Sequence, residues 1–272
     1  MLSSEMTTVL TGKYLQLEML PFSLEEFFEW NKLELRNLQP EQKTEAVALM
    51  DDYLRNGGYP ETVLSRQLLR SYLDTLFDSI VWKDVAKRHN VRNVVDLDNL
   101  AMYLLSNFCS PVSANNLTED LGFSSVNTTK KYMEYLREPY LFYYLPRYNH
   151  KLKLMKNAPK KVYVVDNGFI ASKAFSLSDN LGRLLENQVF VELLRRGYDI
   201  DKTLFYYRSQ NDKEVDFVLR RGTCIESLVQ VCYDMSNAKT EKREVDSIVE
   251  CAEELKCDNL IIVTSDDSRL IE

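Results

Sequence analysis

Histidine is scarce in this 272-residue chain: His89 and His150 are the only two. That leaves little room for acid–base chemistry built on imidazole, and neither histidine stands near a cysteine pair, so a zinc site is not expected. The five cysteines, Cys109, Cys224, Cys232, Cys251 and Cys257, are scattered, odd in number and form no CxxC. Such usage fits reduced packing residues better than a disulfide framework. No apolar run reaches the ~18 residues of a membrane span. The opening MLSSEMTTVL has neither the basic start nor the apolar core of a signal peptide. Together these absences predict a cytoplasmic chain without membrane contact. No G-x-x-x-x-G-K-[ST] occurs; TGKY lacks the upstream glycine and ends in Tyr14, so nothing here cradles phosphates in P-loop fashion. GxSxG and a Cys–His nucleophile pair are missing too.

What remains is the composition of an ordinary globular protein, 45% hydrophobic and 28% charged, long enough for one large domain or two to three small ones. The net charge is −7 but is unevenly spread. Met1 to Pro60 holds ten acidic and five basic residues, and Glu241 to Glu272 holds ten and four. Between Asn127 and Lys161, nine Lys/Arg face two Glu. A basic segment inside an acidic chain points to a polyanionic partner.

Local patterns set out the elements. Tyr14 to Met19 alternates as a strand does; Pro21 breaks it, and Ser23 with Glu26 forms a capping box for a helix over Leu24–Trp30. Helical periodicity covers Thr44–Arg55, stops at NGGYP, and resumes from Val63 to about Arg88. Leu97, Leu100, Ala101, Leu104, Leu105 and Phe108 share one helix face. A short helix then runs from the Ser113 cap to Gly122, and a third helix buries Val126, Thr129, Tyr132, Met133 and Leu136. YLFYYLPRY follows as a strand, with the basic NHKLKLMKNAPKK as the arm of a β-hairpin. Three helices and a hairpin are the layout of a winged helix-turn-helix. Asn127, Thr128, Lys130, Lys131 and Arg137 lie largely off the apolar stripe of the third helix, suited to a DNA groove. Arg147, Lys151, Lys153 and Lys156 of the wing are suited to phosphates. A solvated face, or a winged helix that binds protein, is the alternative.

Beyond Pro159 come the strand KVYVVD, a helix over Gly182–Arg196, strands at Leu204–Arg208, Val215–Arg220 and Leu228–Tyr233, a helix over Lys239–Leu255, and the strand NLIIVTS. That order predicts a mixed-sheet α/β domain. GRLLENQVFVELLRRGY, EVDFV and LVQVCYD together resemble the PD-(D/E)XK nuclease-like core. The resemblance implies that Glu186, Asp216, Gln230 and Cys232 occupy the places of the helix acid, the strand acid and the Glu-x-Lys pair. A neutral amide at Gln230 removes a hard ligand from a Mg²⁺ site. Cys232 cannot serve as the fixed ammonium beside the reacting phosphate. Glu226 has the right parity but lies about 13 Å along the strand from Gln230; Lys239 can approach only from the next helix. The expected site is therefore degenerate, with Glu186 and Asp216 as a buried polar pair. A metal-dependent nuclease with a migrated third ligand is the rival reading.

Over almost its whole length the chain resembles the C-terminal two-thirds of a prokaryotic family of AAA+-type ATPases. The resemblance rests on LTGKYLQLEMLPFSLEEF, YLDTLFDSIVWKDVAKRH, VYVVDNGF, LENQVFVELLRRGY and YYRSQNDKEVDFVL. It implies a multi-domain α+β chain in three parts: 1–93, the end of an ATPase core and a helical connector; 94–158, a winged helix; and 159–272, a restriction-endonuclease-like domain. It implies a truncated relative or a fragment, with ATP and Mg²⁺ used only by a part upstream of Met1, and no cofactor here. Its implied partners are DNA, an ATPase core, or a second copy. An arginine after the connector, Arg88 or Arg92, can reach a neighbouring subunit's nucleotide in such ATPases; a plain surface arginine is the other reading.

Overall fold

The computed structural model describes residues 18–34, 39–173, 180–265 and 269–270. The chain forms mixed α and β structure with two small sheets, and it divides into two compact units. Met1–Asn107, Ala114–Tyr143 and Val164–Leu177 make up the first; Phe108–Ser113, Tyr144–Tyr163 and Ser178–Glu272 make up the second.

The first unit is mainly helical. In α1 (Leu24–Trp30), Ser23 Oγ accepts the Glu26 N–H and the Glu26 carboxylate accepts the Ser23 N–H, so two otherwise orphaned donors are satisfied at the cap. Then come α2 (Pro40–Asn56) and α3 (Pro60–Leu64). Phe27, Phe28, Leu33, Tyr53 and Val63 pack together beneath them. The single helix expected from Val63 to Arg88 is in fact segmented. Ser65, extended at φ −148°, ends α3; a 3₁₀ turn Arg66–Leu68 leads into α4 (Leu69–Asp78), which widens into a π-helix over Ser79–Ala86. The 3₁₀ piece is 3 residues long and the π piece 8, too short for their different periods to stand out in the apolar pattern.

Three helices continue the unit: α5 (Val94–Ser106), α6 (Ala114–Asp120) and α7 (Val126–Arg137). The α5 stripe is buried as its spacing predicts, and Ser125 caps α7 through the Thr128 N–H. An unexpected helix, α9 (Asn167–Lys173), packs in this unit with Phe169 against Tyr59 and Phe77, and with Lys173 Nζ between Asp74 and Asp78. The expected strand Tyr14–Met19 falls mostly outside the described residues; Glu18 and Met19, its described end, form no strand.

A three-stranded sheet has the order β1-β3-β2, with β1 at Pro111–Val112, β2 at Phe142–Pro146 and β3 at Lys160–Val164. Between β2 and β3 the expected plain hairpin arm instead holds a short helix, α8 (Leu152–Asn157). Leucine, lysine and methionine all favour helix, which fits a helical turn in the connection, while β2 and β3 remain neighbours in the sheet.

The rest of the second unit is a four-stranded sheet of order β4-β5-β6-β7: Leu204–Arg208, Glu214–Arg221, Cys224–Val231 and Leu260–Val263. The first three strands are antiparallel, and β7 runs parallel to β6. Gly222, at φ +63°, makes the tight turn between β5 and β6. The long helices are α10 (Leu181–Arg195) and α11 (Ala238–Leu255). On α11, Glu244, Ser247, Ile248, Cys251, Ala252 and Leu255 form one buried stripe at helical spacing, and its last four residues pack with Phe205, Val215, Val218 and Leu228 of the sheet.

Candidate functional site: a lysine enclosed by carboxylates

Within the second unit, four residues from three elements converge. Lys161 on β3 is 2% exposed, and its Nζ lies 2.8 Å from Asp216 Oδ1 on β5, 3.0 Å from Glu186 Oε1 on α10, and 2.8 Å from Glu214 Oε1 on β5. An ammonium has three N–H donors, and each finds a carboxylate. Two further donors join the cluster. Tyr163, two residues along β3 and so on the same face, donates its O–H to Glu186 Oε1 at 2.7 Å. The Val231 N–H donates to Asp216 Oδ2 at 2.9 Å. Tyr163 is held in turn by Phe190, stacked at 4.1 Å between centroids, and by Phe217.

Burial opposes the charge on Lys161, but Asp216, Glu186 and Glu214 outweigh it and hold the ammonium pKa well above its ordinary value. Burial, reinforced by the nearby Asp216 charge, pushes Glu186 up to about 7 against the pull of Lys161 and Tyr163. One ammonium among three carboxylates leaves an excess of negative charge, and Glu186 is where a proton relieves it.

Of the residues expected to share a site, Glu186 and Asp216 do meet, each bonded to the same ammonium. Gln230 is turned to other partners: its Oε1 accepts the Asp216 N–H at 3.2 Å and its Nε2 donates to Glu244 Oε2 at 2.8 Å. It therefore ties β5, β6 and α11 together. Cys232 is buried, with its thiol donating to the Asp234 carbonyl and its pKa raised by burial and by Glu244. Glu226 is bonded to Tyr198 and Arg221, and Lys239 is exposed.

The lysine that joins the two acids comes instead from β3. No motif gives Lys161, Tyr163 or Glu214 a role at the site, although Tyr163 lies within VYVVDNGF and Glu214 within EVDFV. The available signal is the parity of Lys161 and Tyr163, a cation and a phenol on one face of a strand otherwise apolar enough to be buried.

The basic candidates are distributed over both units. On α7, Asn127, Lys130, Lys131 and Arg137 are exposed, and Thr128 is half-buried with its hydroxyl bonded to Ser125. Arg137 pairs with Glu134 on the same helix. In the second unit Lys151, Lys153 and Lys156 are exposed on and beside α8, while half-buried Arg147 donates to the Arg208 carbonyl at 2.6 Å. Among the described residues no carboxylate lies within ion-pair reach of Lys130, Lys131, Lys151, Lys153 or Lys156. Arg92 is exposed and Arg88 half-buried. No described helix is long and apolar enough to cross a membrane.

Comparison with known proteins gives two family matches, each to a domain of unknown function: residues 47–180 to DUF8612 and residues 181–270 to DUF4143. An uncharacterized protein of Methanocaldococcus jannaschii is 32% identical over 280 residues, covering 98% of this chain and 61% of the relative. An uncharacterized protein of Haemophilus influenzae is 31% identical over 240 residues, covering 86% and 57%. The chain thus spans about three fifths of the length of these prokaryotic relatives. No solved structure matches it.

Proposed function

We propose that the chain is a non-catalytic module of an AAA+-type ATPase, in which a degenerate PD-(D/E)XK-like domain serves as a scaffold and a winged helix contacts nucleic acid. The observation that carries the scaffold reading is the position of Lys161. A Mg²⁺ ion takes oxygen ligands at about 2.0–2.1 Å in octahedral array. One oxygen of each acid, Glu186 Oε1 and Asp216 Oδ1, already lies 3.0 and 2.8 Å from an ammonium. A divalent ion bound by both would have to evict a buried, charged side chain. Lys161 supplies the positive charge that the acid pair requires and supplies no Lewis acidity.

The winged-helix reading is supported by the succession α5, β1, α6, α7, β2, β3 and by the sheet order β1-β3-β2. The free cations on α7 and α8 support a phosphate-binding role. The five cysteines, all unpaired, are in keeping with a reducing cytoplasm. Attachment to an ATPase core, with ATP and Mg²⁺ bound there, follows from the family resemblance alone.

The rival metal-dependent nuclease draws support from the meeting of Glu186 and Asp216, and calorimetry with Mn²⁺ followed by plasmid incubation separates the two. The scaffold reading expects neither saturable binding nor cleavage. Cleavage by the wild type that disappears in Asp216→Ala would establish the nuclease. For the nucleic-acid contact, a labelled duplex should be bound with strong salt dependence. Lys130→Ala/Lys131→Ala should lower the log–log salt slope by about 1.8, at ~0.9 per phosphate contact. Binding unaltered by that change would favour a protein-interaction role for the winged helix.

A further inference from the structure

Two exposed surfaces of the second unit, away from the lysine cluster, carry charges that have no counter-ion among the described residues. The first is α8 (Leu152–Asn157) together with Lys151, which precedes it. Between Glu138 and Asp166 the chain has no acid at all. Lys151, Lys153 and Lys156 are exposed, and none has a described carboxylate within ion-pair reach. Leucines alternate with these cations: Leu152 is 58% exposed and Leu154 52%. Met155 anchors the helix by packing against the core of the unit. Leu152, Lys153, Leu154 and Lys156 therefore stand outward as one mixed basic and aliphatic surface.

The second surface is the outer side of α11 (Ala238–Leu255). From Asp246 to Glu254 this helix has the acids Asp246, Glu250, Glu253 and Glu254 and no cation; Lys242 lies one turn before that stretch and Lys256 just past the helix. Asp246, Val249 and Glu253, spaced i, i+3 and i+7, share the face opposite the buried stripe of Ser247, Ile248, Cys251 and Leu255. Asp246 and Glu253 are exposed with no described cation in reach, and Val249 between them is 40% exposed. Glu250 and Glu254 flank the face. They accept the Ser209 and Tyr207 hydroxyls, which leave their charge in place.

We propose that these surfaces are the two sides of one contact between two copies of this chain, in which α8 of one copy lies on the outer face of α11 of the other. Each side supplies what the other lacks. Lysines without counter-ions meet carboxylates without counter-ions, and Leu152 and Leu154 meet Val249, so apolar area leaves water where the charges pair. Phosphates of a nucleic acid would satisfy the lysines but would leave the two leucines in water and the α11 acids unpaired. Every copy carries both surfaces, so a two-fold pairing makes the contact twice and closes as a dimer. Exposed ion pairs are individually weak, which makes the association reversible and sensitive to salt. The cations of α7, in the other unit, remain for the nucleic-acid contact proposed above.

Sedimentation velocity of the full chain at micromolar concentrations should show a monomer–dimer equilibrium. Raising the ionic strength from about 0.1 to about 1 M shortens the screening length from about 10 to about 3 Å and should shift it toward monomer. Lys151→Glu/Lys153→Glu/Lys156→Glu sets like charges across the contact, as does Asp246→Lys/Glu253→Lys. Each variant alone should dimerise at least ~100-fold more weakly. Mixed in equal amounts, the two regain opposite charges at both contacts and should form a heterodimer about as tight as the wild-type dimer, a recovery that also shows both to be folded. Leu152→Ser/Leu154→Ser should weaken dimerisation by about 10-fold and keep its salt dependence. A wild type that stays monomeric at low salt would overturn the contact, as would dimerisation unchanged in any variant or folded charge variants that stay monomeric when mixed. Loss of duplex binding by the α8 variant with dimerisation intact would assign α8 to phosphates instead.

Discussion

Replacing Lys161 by methionine keeps most of the length of the side chain and removes its charge. Glu186 and Asp216, with side chains 11% and 9% exposed, would then face each other without a counter-ion. Breaking a buried ion pair by deleting one partner costs about 3–5 kcal/mol, because the remaining charge is left uncompensated. Glu214 adds little to that figure, since its side chain is 31% exposed and water screens it. The variant can recover by taking up protons. In the folded wild type Glu186 already binds its proton up to about pH 7, above the value of an unfolded glutamate. Its contribution to stability is therefore complete in acid and is lost as pH rises through about 7. Without Lys161 that dependence steepens. Urea unfolding at pH 7 and at pH 5 is the assay: the expected loss is about 3–5 kcal/mol at pH 7 and clearly smaller at pH 5. Adding Glu186→Gln and Asp216→Asn to Lys161→Met should restore most of the loss. A loss below about 1 kcal/mol at pH 7, or one identical at pH 5, would refute the view that Lys161 is the counter-ion on which the domain depends.

Other substitutions probe the neighbouring contacts. Gln230→Glu puts a carboxylate where an amide now donates to Glu244, and should destabilise the second unit by about 1–3 kcal/mol in denaturant titrations at pH 7. If it instead brought tight Mn²⁺ binding, Gln230 would be a lapsed ligand and not a strap between strands and helix. Gly57→Ala places a methyl group on Asp166 at a left-handed backbone position, and should lower stability by at least about 1–2 kcal/mol, seen as a lower Tm.

Much of the architecture was legible along the chain. The Ser23–Glu26 capping box marked the start of α1, and the strand expected at Leu204–Arg208 matches β4. The helix expected over Lys239–Leu255 matches α11 to within one residue. These signals are local: a cap spans three residues, a strand repeats every two, a helix every three to four. Several elements escaped, α8 and β1 among them. Helix α9 is short and opens on Asp166-Asn167-Gly168, where Asp166 accepts the Gly168 N–H with one oxygen and the distant Gly58 N–H with the other. The segmentation from Pro60 to Ala86 leaves the apolar pattern almost unchanged.

The chemistry of the candidate site divides in the same way. Sequence alone determined that Asp216 sits on a strand and that Glu186 sits on a helix. Only the tertiary structure decided which cation satisfies the two acids, and that Gln230 is engaged with Glu244. Lys161, Glu186 and Asp216 are separated by 25 to 55 positions, and no local periodicity links them. Their meeting follows from the packing of β3, α10 and β5, and a buried charge must find its partner wherever that packing puts one.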